Sequence, residues 1–222
     1  MSEPRVLQCP ACGAPTSFGA AFCAFCRGPL TWGAIPMLSR GKLVARLDGA
    51  SDAVDKAALI SADRTKDGTI VMVGPRKAAT SGVGRRRRHG CVVIEGVALD
   101  PHATVGVAAR QQEHGASGGY SLAAIPHFRS IGLSKVLASS KDVYFQPLAD
   151  WQFHEHVRRV GEPNEVELRA ADSILQVFVN GALVASCIDA TFGFGMFGWR
   201  IQSLTGLPAR TLIRSVSVYE VA

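Results

Sequence analysis

Apolar and polar residues alternate along short segments through most of the chain. A period of two, which sends successive side chains to opposite faces, is typical of β-strands. The alternation is clearest in 165–170, and 174–179 is rich in residues that favour strands. Asn180-Gly181 then separates this second run from 182–186. Asn-Gly tolerates positive φ at both central positions of a tight turn, so these residues predict a β-hairpin.

Nine further segments have the composition of strands, and most are bounded by Gly, Pro, Asp or Asn. They are 43–47, 69–73, 91–99, 104–110, 120–125, 131–136, 142–146, 194–201 and 211–221. No window of ten or more residues has a helical period, although 52–60 is compatible with two helical turns. Many short strands with regularly spaced turns favour an all-β fold, namely an antiparallel sandwich or jelly roll.

Several of these segments also carry a family resemblance. The motifs are Asn164 to Arg169, Ile174 to Val184, Asp189, Phe192 and the turn from Gly193 to Gly198, with Val105 to Arg110, Gly118 to Leu122 and Arg214 to Tyr219. Together they resemble the strands of concanavalin A-like lectin/glucanase domains, which include laminin-G-like and glycoside-hydrolase-associated jelly rolls. The resembling motifs cover about 91–222, and we expect the domain to which they belong to start near residue 40. It implies the architecture more strongly than the activity, because one fold supports many functions.

Four of the six cysteines form two CxxC pairs near the N-terminus, Cys9 with Cys12 and Cys23 with Cys26. Two such pairs place four thiolates around one ion, and Zn²⁺ prefers four tetrahedral sulfur or nitrogen ligands. Since all four positions are cysteine, the predicted site is closed and therefore structural. Two disulfides and an iron–sulfur site are the less favoured alternatives.

Residues 9–30, CPACGAPTSFGAAFCAFCRGPL, resemble the short bacterial zinc-ribbon family, which reads roughly CPxCG, a small-residue spacer and FCxxCG. Arg27 departs from this pattern, because the family usually has Gly directly after the fourth cysteine. The resemblance implies one structural Zn²⁺ and names no partner. The composition changes after this segment, so we predict a zinc ribbon over 1–32 and a β-sandwich domain over 33–222.

Net charge is concentrated in one segment of the 222-residue chain. The formal charge is +6, yet 74–90 alone contains six basic residues and no acidic one, which leaves 18 of each in the remainder. The six are Arg76, Lys77, Arg85, Arg86, Arg87 and Arg88. Because Gly, Ser and Pro surround these mutually repelling charges, we predict a mobile basic loop that binds phosphate, an acidic partner or anionic lipid. A solvated loop without function is the alternative.

The location and the two remaining cysteines give simpler expectations. Hydrophobic residues make up 47% of the chain, enough for a buried core, but no apolar run approaches the roughly 20 residues of a spanning helix. The first eight residues contain an acid and a proline instead of an apolar run, so we expect a cytoplasmic protein.

Cys91 and Cys187 lie in strand-like runs and are predicted to be buried.

Catalytic candidates are weak. Glycosidases on this fold need two facing carboxylates, and the endoglucanase pattern Glu-x-Asp-x-x-Glu is absent from the sequence. Glu165 and Glu167 share a strand face that is better explained as a solvated outer surface. His154 and His156 are predicted on one face of a strand, where a metal is possible but two exposed histidines are favoured.

Ligand binding on this fold needs aromatic platforms and hydrogen-bonding groups on a concave surface. The candidates near strand ends and a Gly-rich loop are Arg110, Gln112, Tyr120, His127, Trp151 and Trp199. Arg110 and Tyr120 are predicted to line the groove, whereas core packing is the favoured alternative for both tryptophans.

These observations favour a non-catalytic binding or scaffold protein, in which a zinc ribbon and a lectin-like β-sandwich hold a protein or a carbohydrate. A nucleic-acid-associated protein that uses Arg85 to Arg88 is the first alternative, although no aromatic residues interleave with these arginines. A divergent glycoside-processing enzyme is the second.

Overall fold

The computed structural model describes residues 12–14, 25–26, 35–48, 58–112, 118–138 and 143–221. The zinc-ribbon prediction falls largely outside these ranges. Of its four cysteines, Cys12 and Cys26 are described and are exposed, and the other two lie outside the described residues. The predicted helical turns over 52–60 also lie mainly outside.

The described ranges form fourteen strands. The first seven are β1 (Arg40–Leu47), β2 (Leu59–Thr65), β3 (Gly68–Val73), β4 (Ala78–Arg87), β5 (Gly90–Ala98), β6 (Val105–Gln111) and β7 (Gly119–Ile125). The others are β8 (Ser130–Ala138), β9 (Val143–Phe153), β10 (Pro163–Ala171), β11 (Ile174–Val179), β12 (Ala182–Ile188), β13 (Gly195–Gln202) and β14 (Ala209–Val221). Within these ranges no helix is long and apolar enough to span a membrane.

The strands build two antiparallel sheets that pack face to face. One sheet has eight strands, in the order β12-β11-β10-β5-β14-β3-β2, with β1 also paired to the long strand β14. The other has six strands, in the order β4-β13-β6-β7-β8-β9. The prediction of an all-β antiparallel sandwich of the jelly-roll type is confirmed.

The core lies between the two sheets and follows the predicted alternation. In β6 and β7, Val105, Val107, Leu122 and Ala124 point inward and are fully buried. Trp199 of β13 joins them, which confirms the core interpretation for this tryptophan. Since alternate side chains of a strand point to opposite faces, the intervening residues form the outer face of each sheet.

The predicted hairpin is present. Strand β11 ends at Val179, β12 begins at Ala182, and the two turn residues Asn180 and Gly181 have φ of 47° and 83°. Both cysteines of the sandwich are buried, as expected. Cys187 belongs to the core cluster, whereas Cys91 lies on the outer side of its sheet and donates its thiol hydrogen to Glu167 Oε1 at 3.0 Å.

The prediction of a basic loop over 74–90 is wrong for most of the segment. Residues 78–87 form strand β4, which pairs with β13 from Gln202 to Gly195. Two of the glycines that suggested a loop have structural roles in the strand: a Cβ on Gly82 would lie 2.7 Å from Met196 Cε, and Gly84 has a positive φ of 74°. Only 74–77 and 88–89 are turns, so Arg85, Arg86 and Arg87 occupy the end of a strand.

Two other segments differ from the sequence predictions. Leu59 and Ile60, the end of the predicted helical turns, begin strand β2, which pairs with β3. Strand β9 continues to Phe153, well beyond the predicted end at residue 146, because two irregularities in its pairing with β8 accommodate Pro147 and the residues after it.

The outer face of the eight-stranded sheet is partly covered by residues 35–40, which cross it before β1. Leu38 N donates to Gln176 Oε1 at 2.9 Å, and Gln176 Nε2 donates to Pro36 O at 3.1 Å. Beneath this segment, Glu167 accepts hydrogen bonds from Arg40 and from Arg169 Nε, the latter at 2.6 Å. The prediction of a solvated Glu167 is therefore wrong, because two arginines compensate its buried charge.

Candidate functional site

The outer face of the six-stranded sheet has a floor of small residues. One row of paired positions crosses all six strands through Gly82, Gly198, Ala108, Ser121, Ser134 and Pro147. The adjacent row continues through Gly106, Ala123 and Gly132. None of these side chains is larger than proline. Pro147 is exposed and Gly82 partly exposed, whereas Ala108, Ser121 and Ser134 in the middle of the row are at most 8% exposed, so the middle of the floor is covered.

Two larger side chains fold over opposite sides of this floor. Trp151 of β9 lies on Gly132 so closely that a Cβ there would be 2.7 Å from the indole ring. Met196 of β13 lies on Gly82 in the same way. Trp151 keeps 47% of its surface exposed, so the core interpretation is wrong for this tryptophan, and its role as a ligand platform stays a prediction.

The floor is concave. In a flat sheet β13 and β9 would lie about 19 Å apart, four intervals of about 4.8 Å. Yet Arg200 of β13 and Phe145 of β9 meet above the floor, with the guanidinium carbon 5.2 Å from the centre of the ring. Strong curvature toward this face brings the two side chains together, and together they cover part of the small-residue floor.

Arg200 is a cation with little compensation from its surroundings. Its Nε atom is shielded from solvent and has no hydrogen-bond partner among the described residues. Burial lowers the pKa of the guanidinium to about 10, so the group remains charged at neutral pH. The contact with the Phe145 ring is a cation–π interaction, which stabilises a cation but satisfies none of its N–H groups.

The six strands of this sheet are strongly biased toward positive charge. Within their bounds the only acidic residue is Asp150, in the irregular part of β9. Against it stand six basic residues: Arg85, Arg86, Arg87, Arg110, Lys135 and Arg200. These strands therefore provide no pair of facing carboxylates.

Arg110 and Tyr120 do not line this floor, and the prediction that they contact a ligand there is wrong. Arg110 is fully buried and donates from Nε to Arg88 O at 3.0 Å and from Nη1 to the carbonyls of Asp172 and Phe192. Tyr120 is also buried, in the core cluster. Because Arg110 has a positive φ of 52°, its side chain leaves the regular alternation of β6 and supports the loops at the end of the sandwich.

A polar network fixes the loop between β12 and β13 beside these two residues. Asp189 accepts from Lys135 Nζ at 2.8 Å and from the Tyr120 hydroxyl at 2.7 Å. Burial opposes the ionisation of Asp189, but the hydrogen bonds from Lys135 and Tyr120 together hold its pKa below the usual range. Lys135 also donates to Thr191 Oγ1, so the network anchors the loop and is internally satisfied.

A cavity of about 760 Å³ lies at this end of the sandwich, between the loop and neighbouring turns. Gln112 lines it and donates from Nε2 to Phe194 O at 2.7 Å. Arg88 lines it as well, and Arg86 lies over the Phe194 ring at 5.0 Å. Of the predicted basic residues, Arg88 thus lines this cavity and Arg86 lies beside it, whereas Arg76 and Lys77 lie in the turn before β4, at the other end of that strand.

The three histidine candidates lie in turns. His127 is exposed in the turn between β7 and β8, with its ring 4.7 Å from that of Phe128. His154 and His156 follow the end of β9 in a turn, with ring centres 5.2 Å apart, so the prediction that they share a strand face is wrong. No group of three metal-ligating side chains occurs among the residues that the structure describes.

Two residues of the concave face, Phe145 and Arg200, were missed by the sequence analysis. Arg200 follows the core residue Trp199 in a strand predicted correctly, but nothing in the local sequence shows that it lacks an acidic partner. Phe145 belongs to a strand with four aromatic residues, and this aromatic enrichment is the signal that was available.

No protein-family model matches the sequence, and no curated protein matches it. Solved structures do match. The carbohydrate-binding module CBM66 from Bacillus subtilis aligns with a TM-score of 0.59 at 12% identity, over 72% of this chain and 91% of that one. A Bacillus subtilis protein of unknown function with a galectin-like fold gives 0.59 at 12% identity, over 84% and 99%.

The κ-carrageenase from Pseudoalteromonas carrageenovora, solved with an oligotetrasaccharide of κ-carrageenan, aligns with a TM-score of 0.55 at 7% identity, over 86% of this chain and 99% of that one. At such low identity these similarities establish the fold. They define a galectin-like or concanavalin A-like jelly roll, a class that contains both binding modules and enzymes.

Proposed function

We propose that the protein binds a carbohydrate, without cleaving it, on the concave outer face of the six-stranded sheet. The observation that carries the proposal is the shape of this face, a curved floor of Gly, Ala and Ser with an exposed tryptophan at its rim. Structural neighbours that include a carbohydrate-binding module support the proposal.

The chemistry of the face suits a sugar. A pyranose ring has apolar C–H faces that stack on aromatic rings, and polar edges that need nearby donors and acceptors. Trp151 and the partly exposed Phe145 provide aromatic surface on one side of the floor. Ser121 and Ser134, which are at most 8% exposed, and the guanidinium of Arg200 are the polar groups of the same face.

The distribution of acids supports binding without hydrolysis. Glycoside cleavage on this fold uses two carboxyl groups on opposite sides of the scissile bond. Within the six strands as bounded above, Asp150 is the single acid, and it is exposed in β9. Hydrolysis would require two carboxylates, which these strands do not provide. Binding requires none.

The proposal is tested with an array of immobilised glycans, followed by calorimetric titration of the strongest one. Trp151→Ala should lower the affinity by about tenfold or more, because an aromatic platform in a binding site commonly contributes at this level. Phe128→Ala is the matched control, since Phe128 is also an exposed aromatic residue but lies in the β7–β8 turn. Its affinity should equal that of the wild type.

Failure of every glycan to bind would overturn the carbohydrate proposal. Release of new reducing ends from the bound glycan would overturn the non-catalytic part and favour a glycoside-processing enzyme. A loss of affinity that is equal in Trp151→Ala and Phe128→Ala would place the site elsewhere.

We also propose that Cys9, Cys12, Cys23 and Cys26 hold one structural Zn²⁺. The support is the donor set, since four thiolates in two CxxC pairs match the preference of zinc. Metal analysis of protein purified without chelator should find about one zinc per chain. Less than about half an equivalent would contradict the assignment.

A further inference from the structure

Resting on the proposed function, we propose that the carbohydrate bound on the concave face is anionic, carrying uronate carboxylates or sulfate esters, and that Arg200 pairs with one of these groups. The inference starts from the single cation that lies on the floor. Its Nε is shielded from solvent and has no hydrogen-bond partner among the described residues, and its guanidinium carbon lies 5.2 Å from the centre of the Phe145 ring.

A shielded N–H group without an acceptor is costly, and folded proteins rarely keep one without a reason. The neighbours of Arg200 along its row cannot supply a charged acceptor. Thr80 lies opposite it on β4, and Gly106 occupies the adjacent strand β6. An anionic group on a ligand would satisfy the N–H groups and neutralise the cation at the same time.

On the eight-stranded sheet, arginines with a structural role are paired with carboxylates. Arg40 and Arg169 both donate to the carboxylate of Glu167, and Arg40 also reaches Glu165 at 3.0 Å. Arg210 is paired with Asp100 in the same manner. Arg200 has no such acid. The buried Arg110 also lacks one, but it donates to the carbonyls of Arg88, Asp172 and Phe192, whereas Arg200 donates to no acceptor among the described residues, and this assigns its charge to a ligand.

The concave face favours a saccharide over a nucleic acid. The face has one cation and an aromatic ring at its edge. This arrangement suits a saccharide, in which isolated anionic groups alternate with sugar rings that stack on aromatic side chains. A nucleic acid carries a charge on every nucleotide and is held by several cations along its backbone. The consecutive arginines 85–88 would be the place for such contacts, and of these Arg88 lines the end cavity and Arg86 lies over the Phe194 ring beside it.

The experiment is a binding comparison with matched glycan pairs. Uronate-containing oligosaccharides are presented beside their carboxyl-reduced forms, and sulfated oligosaccharides beside their desulfated forms. A 12-nucleotide single-stranded DNA is included as a polyanion that has no pyranose rings. The wild-type chain should bind at least one acidic member about tenfold more tightly than its neutral counterpart, and the arm that responds identifies carboxylate or sulfate.

Variants then connect the preference to Arg200. Arg200→Gln should remove about tenfold of affinity for the acidic glycan and change binding of the neutral counterpart less than about twofold. Arg200→Lys, which keeps the charge, should retain part of the acidic preference. Arg64→Gln is the control, because Arg64 is exposed on β2 and its loss changes the net charge equally.

Each result decides between the two proposals. If neutral and acidic members of every pair bind equally, the anionic inference is wrong and the proposed carbohydrate function stands. If no glycan binds, the proposed function itself fails. Tight binding of the DNA that depends on Arg200 would replace the saccharide by a nucleic acid. The glycan pairs give this answer on the wild type, even if a variant fails to fold.

Discussion

The two outer faces of the sandwich differ in whether other residues of the chain compensate their sheltered charges. On the eight-stranded sheet, Glu167 lies buried between Arg40 and Arg169, and residues 35–40 cross over the cluster. On the six-stranded sheet, Arg200 lies over a floor of small residues without an acidic partner among the described residues. Both faces carry a sheltered charge, but only the first compensates it from within the chain.

This difference separates structure from function. A compensated charge under a covering segment holds that segment to the sheet and is not accessible to a ligand. Pairing an uncompensated cation on a concave surface with a group of a ligand is favourable, so this cation can contribute to the free energy of binding. We therefore expect substitutions on the eight-stranded face to change stability, and substitutions on the six-stranded face to change binding.

The largest effect is expected for Glu167→Ala. Removal of this carboxylate leaves Arg40 and Arg169 close together without a common partner, and breaking such a buried pair costs about 3 kcal/mol. Urea unfolding should show this loss in the free energy of unfolding, and the affinity for the array glycan should not change. Glu165→Gln is the control, since its side chain is 40% exposed and should cost less than about 1 kcal/mol.

The contrast would be broken if Glu167→Ala left stability unchanged while it lowered glycan affinity. That outcome would move the binding site to the eight-stranded sheet.

The pH dependence of stability should sharpen the role of Glu167. Burial opposes ionisation of this carboxyl group, but hydrogen bonds from Arg40, Arg169 and Cys91 together hold its pKa below the ordinary 4.5. Its ionised form therefore stabilises the fold above about pH 4.5, and this contribution is lost as the pH falls through the folded-state pKa. Between about pH 5 and pH 3, the wild type should lose more unfolding free energy than Glu167→Gln. Parallel curves would contradict the ion-pair account.

A smaller effect is expected for Gly132→Ala on the opposite face. The added Cβ would lie 2.7 Å from the Trp151 ring, which is half exposed and can move outward. The free energy of unfolding should change by less than about 1 kcal/mol, whereas glycan affinity should fall about threefold because the platform is displaced. Titration calorimetry measures this change. Gly206→Ala, where a Cβ meets open space, should bind as the wild type does.

Most of the fold was predictable because it depends on local alternation. The inward residues of β6, β7 and β10 repeat with a period of two, and Asn180-Gly181 marks the hairpin directly. Strand β4 was missed for a physical reason. Its glycines and serine resemble a loop in composition, but Gly82 is small because Met196 packs on it from the neighbouring strand β13. A contact between strands distant in sequence leaves no local signal.

The candidate site was less predictable for the same reason. Trp151 was identified as a candidate from its residue type, yet its exposure depends on Gly132, a residue of the neighbouring strand. Arg110 and Tyr120 have the residue types of a ligand site but serve to hold the loops at the end of the sandwich. The role of Arg200 depends on which acids the fold brings near it, and this requires the strand order.

The most direct test of the concave binding face is an NMR titration of the ¹⁵N-labelled protein with the strongest glycan from the array. We predict shift changes that concentrate on the amides of Gly106, Ser121 and Gly132, together with the indole of Trp151 and the guanidinium Nε of Arg200. Changes confined to residues 165–169, or to the arginines 85–88 at the end cavity, would contradict the account.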